Sequence, residues 1–413
     1  MTDHDDEMTH GDRAAQWFDG SPAMRRIAAD ILEYGPIART TLAQMHDLSA
    51  GTVSRIIADL MYLGVVRETG DDDTSTGHLP YGFEPRKRTG ERGRPQSALV
   101  ANADARTFVG VKIRGDSATA VLVDAQCRLP DGAGSHVTEF ADRTPAGVSD
   151  AVARLVEECR ADARGLGLSE PCMVGLGIGA HITDGVVDEA TFLSWIEPCD
   201  LSAMVRAATG LDTVTNNDLD ALLMYEHWFG AGVGLPRFAL LTIGTGIGYG
   251  LVEDGKVVDH ADKTFGLAGH LLIDPDGPRC FRGCGHRGCA QCLTNDSLAD
   301  EYSQIMGTVK SFDDYVRDAQ NGVPQAKQLL MRECYRLGVM IGLVANLTMP
   351  LKVFVAGESA YVAGMEIESV RQGIAEYRPS RAATVPFEIL GSDWERWAQG
   401  AAACAIRRYV LGE

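Results

Sequence analysis

Apolar residues recur at Met24, Ile27, Ala28, Ile31 and Leu32, the i, i+3, i+4, i+7, i+8 stripe of an amphipathic helix, and the spacing predicts a helix over 24–34 stopped by Gly35-Pro36. A second short helix is predicted over 41–46, with a turn at Asp47-Leu48. Ser49 then caps a third helix whose buried stripe is Val53, Ile56, Ile57 and Leu60, which leaves Gly51, Thr52, Ser54 and Arg55 on the exposed side. The run Tyr62-Leu63-Gly64-Val65-Val66 reads as a strand, and residues 71–90 are polar and rich in breakers. The order is helix, helix, turn, helix and a β wing.

From Phe108 onward the texture changes. FVGVKI, TAVLVD, MVGLGIG, FALLTIG, GYGLVE and KVFVAG alternate with helical stretches, among them one over 147–166, several after Asn295 and a last one over 394–409. Strands alternating with helices predict an α/β architecture. Glycine-centred turns at Ile178-Gly179 and over 244–248 fall at strand ends, where such sheets hold ligands. The 244–248 turn reads either as a phosphate cradle or as a tight turn alone.

Residues 1–18 are polar and short of aliphatics, too poor in apolar surface to offset ordering, and are expected to form a disordered leader. The expected division is a winged helix-turn-helix head over 19–84, a basic linker over 85–97, a first lobe over 98–235, a second over 236–390 and a C-terminal helix over 391–413 returning to the first lobe. At 413 residues the chain is too long for a single core. No apolar run approaches the roughly 18 residues of a membrane helix, and the acidic start MTDHDDEMTHGDR is not a secretory signal, so the expected compartment is the cytoplasm.

A net charge of −19 excludes a surface that coats nucleic acid everywhere, so any DNA contact must come from a locally basic patch. Arg86, Lys87, Arg88, Arg92 and Arg94 supply one, with Arg92-Gly93-Arg94-Pro95 at its centre. Short polar side chains and one arginine on the third helix fit a major groove: Thr52, Ser54 and Arg55 are the candidate base readers. Arg92 and Arg94 are candidates for the adjacent minor groove. A helical unit that docks a protein, and a merely solvated linker, are the competing readings.

Of ten cysteines, Cys280, Cys284, Cys289 and Cys292 crowd into one short segment. His270-x9-Cys280-x3-Cys284-x4-Cys289 supplies one imidazole and three thiolates, which satisfies a tetrahedral Zn²⁺ with no open position and points to a structural role. Cys292 or His286 could replace one of these ligands. Gly283, Gly285 and Gly288 lie between them, where turns of positive φ let thiolates converge. Asp218 precedes an amphipathic helix and reads as its N-cap or as a carboxylate facing a sugar hydroxyl.

Over roughly residues 20–410 these motifs resemble the ROK family of repressors, uncharacterised frames and sugar kinases, in its winged-helix regulator branch (the xylose-repressor and N-acetylglucosamine-repressor type). The carrying residues are the helix-turn-helix, the Arg-Gly-Arg-Pro linker, Asn217-Asp218, TIGTGIGYG, Gly269-His270 with DPDG, the cysteine segment and VFVAGES. The resemblance implies a two-lobed, actin-like sugar-kinase fold with Asn217, Asp218 and His270 binding ligand in the cleft. It further implies a homodimer or homotetramer whose affinity for operator DNA responds to a sugar or phosphosugar.

Three departures bear on chemistry. The kinases' Asp-x-Gly-Gly-Thr phosphate loop is here Lys112-Ile113-Arg114-Gly115-Asp116, which removes a Mg²⁺-associated carboxylate and sets Asp116 near the phosphates. The family's Glu-x-Gly-His is Leu267-Ala268-Gly269-His270, and its glutamate after the last zinc cysteine is Gln291. A charged acceptor on a sugar hydroxyl is worth about 1.5–3 kcal/mol, so a simple hexose should bind weakly if at all. The expected function is a DNA-binding regulator, expected to be a repressor and not an enzyme; a sugar kinase with Asp218 as general base is the competing reading.

Overall fold

The structure is a computed structural model that describes residues 16–69, 77–85, 98–260, 262–280, 282–391 and 393–412. Helix α1 (Pro22–Tyr34) starts where the Ser21 side chain accepts from the Met24 N–H at 3.2 Å, with Pro22 in the first turn, and its buried residues are the predicted stripe. Helices α2 (Arg39–Met45) and α3 (Ala50–Tyr62) follow, and Ser49 caps α3 by accepting from the Thr52 N–H at 3.1 Å. Val53, Ile56, Ile57 and Leu60 face inward from α3. Strand β1 (Val66–Glu68) pairs antiparallel with β2 (Leu99–Ala101) to complete the head.

Three sequence expectations need correction here. The strand read from Tyr62 begins at Val66: α3 runs through Tyr62, which is 92% exposed, and Gly64 at φ +71° turns the chain before Val65 and Val66 enter the core. Strand β2 falls in the range expected for the first lobe, yet its partner is β1 of the head. The expected leader is ordered by residue 17: Trp17 and Phe18 are buried, the Trp17 N–H donates to the Tyr409 carbonyl at 2.9 Å, and the Trp17 ring lies 6.0 Å from that of Tyr409. Two adjacent aromatics supply the apolar area that the polar residues before them lack.

Two lobes follow. The first carries β3 (Thr107–Ile113), β4 (Ser117–Asp124), β5 (Ser135–Glu139), β6 (Pro171–Ile178) and β9 (Asp212–Asn217) in the order β5-β4-β3-β6-β9, with a small β7 (His181–Thr183) and β8 (Val186–Glu189) hairpin beside it. Helices α4 (Pro145–Gly165), α5 (Leu201–Thr209) and α6 (Asp218–Trp228) belong to it. The second carries β10 (Arg237–Ile243), β11 (Ile247–Glu253), β12 (Lys256–Val257), β13 (Lys352–Ala356) and β14 (Phe387–Ile389) in the order β12-β11-β10-β13-β14. In both, the first three strands form an antiparallel meander and the last two are parallel to the first, so the two lobes repeat one topology.

The long chain between β12 and β13 adds α7 (Asn295–Met306), α8 (Phe312–Gln320) and α9 (Pro324–Thr348); α10 (Ile367–Glu376) packs on α9. The last helix, α11 (Trp394–Leu411), lies on β3 and β6 at backbone contact distance. A Cβ on Gly110 would fall 1.9 Å from the Ala398 carbonyl oxygen, and one on Gly175 1.8 Å from that of Ala401, so only glycine admits the helix. Head, β3–β4 face and α11 share one core containing Ile27, Ile31, Leu60, Phe108, Val123, Ala402, Ile406 and Tyr409. Each large aliphatic residue there contributes about 1.5–3 kcal/mol on burial. The head is therefore packed onto the first lobe and α11 as part of one body.

Candidate DNA-reading helix, cleft and metal cluster

In the head, Ser54 and Arg55 are exposed on α3, as their positions between the apolar ones require. Thr52 is half-buried, with its hydroxyl 2.8 Å from that of Ser49 at the helix start. His46 Nε2 lies 2.5 Å from Asp30 Oδ2, which ties the end of α2 to α1. Arg92 and Arg94, the expected minor-groove residues, lie outside the described residues.

A cavity of about 370 Å³ opens at the junction of the lobes. It is walled by the β7–β8 hairpin, the end of β9 with Asn216 and Asn217, and Asp259, His260, Lys263 and Thr264 of the second lobe. Asn217 is the N-cap of α6, its side chain accepting from the Leu219 N–H at 3.0 Å while its amide donates to the Ala180 carbonyl at 3.0 Å. The cap expected at Asp218 thus falls one residue earlier, because the chain leaves β9 directly into the helix and Asp218 is already in its first turn.

Asp218 is taken by a partner that sequence reasoning did not foresee. The Lys112 ammonium, buried on β3, donates to Asp218 Oδ2 and lies 5.0 Å over the Trp397 ring. Arg114 stacks 4.6 Å over Trp394. The two cations that replace the phosphate-loop residues are thus held by α11 aromatics and, for Lys112, by the Asp218 carboxylate. The 244–248 turn is likewise filled: Glu358 accepts from the Thr245 N–H at 2.5 Å and from its hydroxyl, which puts a carboxylate where a phosphate would sit.

Other cleft groups also escaped the sequence. Lys263 bridges Asp220 at 2.7 Å and Asp259 at 2.6 Å; burial pushes the Asp220 carboxyl above its usual range, and the hydrogen bond from Lys263 holds Asp259 below it. His181 of β7 contacts Thr264 Oγ1 at 2.6 Å and stacks on Phe265 at 5.1 Å, a direct link between the lobes. Leu267 is 59% exposed, whereas Gln291 is buried with its Oε1 unpartnered.

His270 does not line the cavity. Its ring joins Cys280, Cys284 and Cys289, with one ligand atom from each lying within 4.8 Å of the others. Gly283, Gly285 and Gly288 have φ of +72°, +81° and +61°, as the sequence led us to expect, and a Cβ on Gly288 would meet the Asp274 carbonyl oxygen at 1.4 Å. The Cys280 N–H donates to the His286 carbonyl at 2.9 Å and closes the loop. His270 Nδ1 is buried with no hydrogen-bond partner, which together with three converging sulfurs fits a metal ion. Cys292 lies instead in the second-lobe core, its thiol pushed up to about 12 by burial, and neither it nor His286 belongs to the cluster.

Duplicated five-stranded lobes with a ligand-sized cavity between them define an α/β protein of the sugar-kinase-like class. The chain belongs to the ROK family, whose profile matches residues 108–408. It is 22% identical over 339 residues to the DNA-binding transcriptional dual regulator NagC of Escherichia coli K12, covering 79% of this chain and 78% of that protein. Its fold is shared with a ROK family transcriptional regulator homologous to the E. coli MLC protein (TM-score 0.72, 21% identity, 94% of this chain and 97% of that one). A ROK family glucokinase from Streptomyces griseus matches at TM-score 0.60 and 22% identity, over 72% of this chain and 98% of that one. The relatives thus include DNA-binding regulators and kinases. Among the described residues no helix is long and apolar enough to cross a membrane.

Proposed function

We propose that the chain is a cytoplasmic, sequence-specific DNA-binding transcription regulator, a repressor of carbohydrate genes, and not a kinase. The observation that carries this reading is the pairing of Lys112 with Asp218: the candidate base is neutralised by the residue that stands where the kinases hold a Mg²⁺-associated carboxylate. Thr52, Ser54 and Arg55 read the major groove, Arg92 and Arg94 enter the neighbouring minor groove, and a symmetric dimer or tetramer presents two heads to a pseudo-palindrome. The regulator fold that extends over nearly the whole chain, head included, supports this assignment.

The effector is a sugar or phosphosugar bound at the lobe junction against Asn217 and the groups beside it, with Asp218 and His270 ordering the wall behind. Its binding shifts the balance between two lobe arrangements and so the spacing of the heads. His270, Cys280, Cys284 and Cys289 would hold a structural Zn²⁺, which supplies no reaction and braces the 270–289 segment. The test is quantitative DNA binding of the purified protein across genomic fragments at fixed salt, with and without a panel of sugars and phosphosugars, beside an ATP-turnover assay. Specific binding altered by one ligand, without turnover, is the expected result; turnover without specific binding overturns it.

A further inference from the structure

Glu33, next to the end of α1, and His227, next to the end of α6, meet where the head rests on the first lobe. Both side chains are buried, and Glu33 Oε1 and His227 Nδ1 face each other at 3.8 Å, each without a hydrogen-bond partner. The other ring nitrogen settles the tautomer. His227 Nε2 lies 2.8 Å from the Gly255 carbonyl in the β11–β12 turn, and a carbonyl only accepts, so Nε2 carries the hydrogen and Nδ1 of the neutral ring is a bare acceptor. A carboxylate oxygen is an acceptor too. Two buried acceptors face to face are unfavourable, and one proton between them, with an approach of about 1 Å, makes an ordinary hydrogen bond.

We propose that Glu33 and His227 share a single proton, and that this proton is the joint clamping the head to the two lobes. The inference rests on reading α1–α3 as the DNA-binding head. Helix α6 begins at the cleft, capped by Asn217, and ends at this pair, while the Gly255 turn belongs to the second lobe, so head, first lobe and second lobe meet at one imidazole. The groups around the pair are Asp30 and the Tyr34 hydroxyl on α1 and Arg407 on α11. Burial raises Glu33 to about 7, and burial, with Arg407 adding to it, draws His227 below the usual imidazole range. Both effects place the proton on the Glu33 carboxyl, donating to Nδ1.

The sign follows from linkage. Glu33 ordinarily titrates at 4.5, so its contribution is complete below that pH and is lost as pH rises through about 7. Glu33→Gln keeps a donor toward Nδ1 at every pH, and His227 titrates in both proteins, so the ratio of their behaviours isolates the carboxyl. Native-state hydrogen exchange of the full chain is measured at the amides of 31–34 in wild type and Glu33→Gln. The expected protection ratio favours the variant and grows roughly tenfold per pH unit between about 5 and 7, then levels. A pH-independent ratio overturns the proposal.

A second readout needs only the wild type: the imidazole nitrogen resonances of His227 should report a ring protonated on Nε2 whose Nδ1 signal moves as pH crosses about 7, and a signal that does not move also overturns it. DNA binding is scored on the same samples. A pH-dependent ratio without specific DNA binding removes the regulator reading and leaves the joint, while a flat ratio with specific binding removes the joint alone.

Discussion

Lys112 is a lysine near the end of a strand that is apolar from Phe108 to Val111, only 5% exposed, and its position is tolerable because Asp218 and the Trp397 ring receive it. Removing one member of such a pair leaves an uncompensated charge, while removing both is nearly neutral. Lys112→Met is therefore expected to destabilise the protein by about 2–4 kcal/mol, less than a fully buried pair because Asp218 is partly solvated, and Lys112→Met with Asp218→Asn should recover most of the loss. Denaturant unfolding of the two single variants and the double variant measures the coupling. A sum of single effects equal to the double would show that the two residues do not interact.

Among the elements, the described residues of the segment 267–293 form 3₁₀ turns and isolated bridges, with little regular backbone pairing among them. Gly283, Gly285 and Gly288 hold the left-handed backbone that residues with a β-carbon rarely adopt, and a metal held by His270, Cys280, Cys284 and Cys289 would draw the segment together. Withdrawal of the metal by a strong chelator should release one Zn²⁺ per chain and lower stability by at least a few kcal/mol. Cys284→Ser should abolish binding, whereas Cys292→Ser should retain the ion at wild-type stoichiometry, since Cys292 packs in the second-lobe core. Metal analysis of the purified variants distinguishes them, and loss of zinc from Cys292→Ser would redraw the ligand set.

In the whole molecule, α11 is the element on which everything converges. Glu226 of α6, fully buried, receives Arg396 of α11 through two hydrogen bonds of 2.6 and 3.0 Å, Trp397 joins the core beneath β10 and β13, and Tyr409 holds Trp17 of the head. With head, lobe and helix sharing one core, the amides of α1 and of β3 should lose protection in the same denaturant transition. Gly175→Ala pushes a methyl group into the Ala401 backbone and should shift both together, by about 1–3 kcal/mol or more. A head that unfolds well before β3 would show that it is an independent domain.

Local spacing decided a good deal of this protein. The stripes of α1 and α3, the Ser49 cap, the positive-φ glycines and the set of one histidine and three cysteines all depend on neighbours a few turns apart, so periodicity and ligand chemistry suffice to read them. Other features were invisible because their partners are far apart in the chain: Lys112 and Asp218 are 106 residues apart, and Glu33 meets His227 from another part of the molecule. The choice of Asn217 over Asp218 as cap hung on where β9 ends, and the burial of Trp17 on the arrival of α11. Short-range geometry is carried by the residues that make it. Which charge neutralises which, and whether the head is tethered or packed, is decided only when the tertiary fold removes those groups from water and limits the partners within their reach.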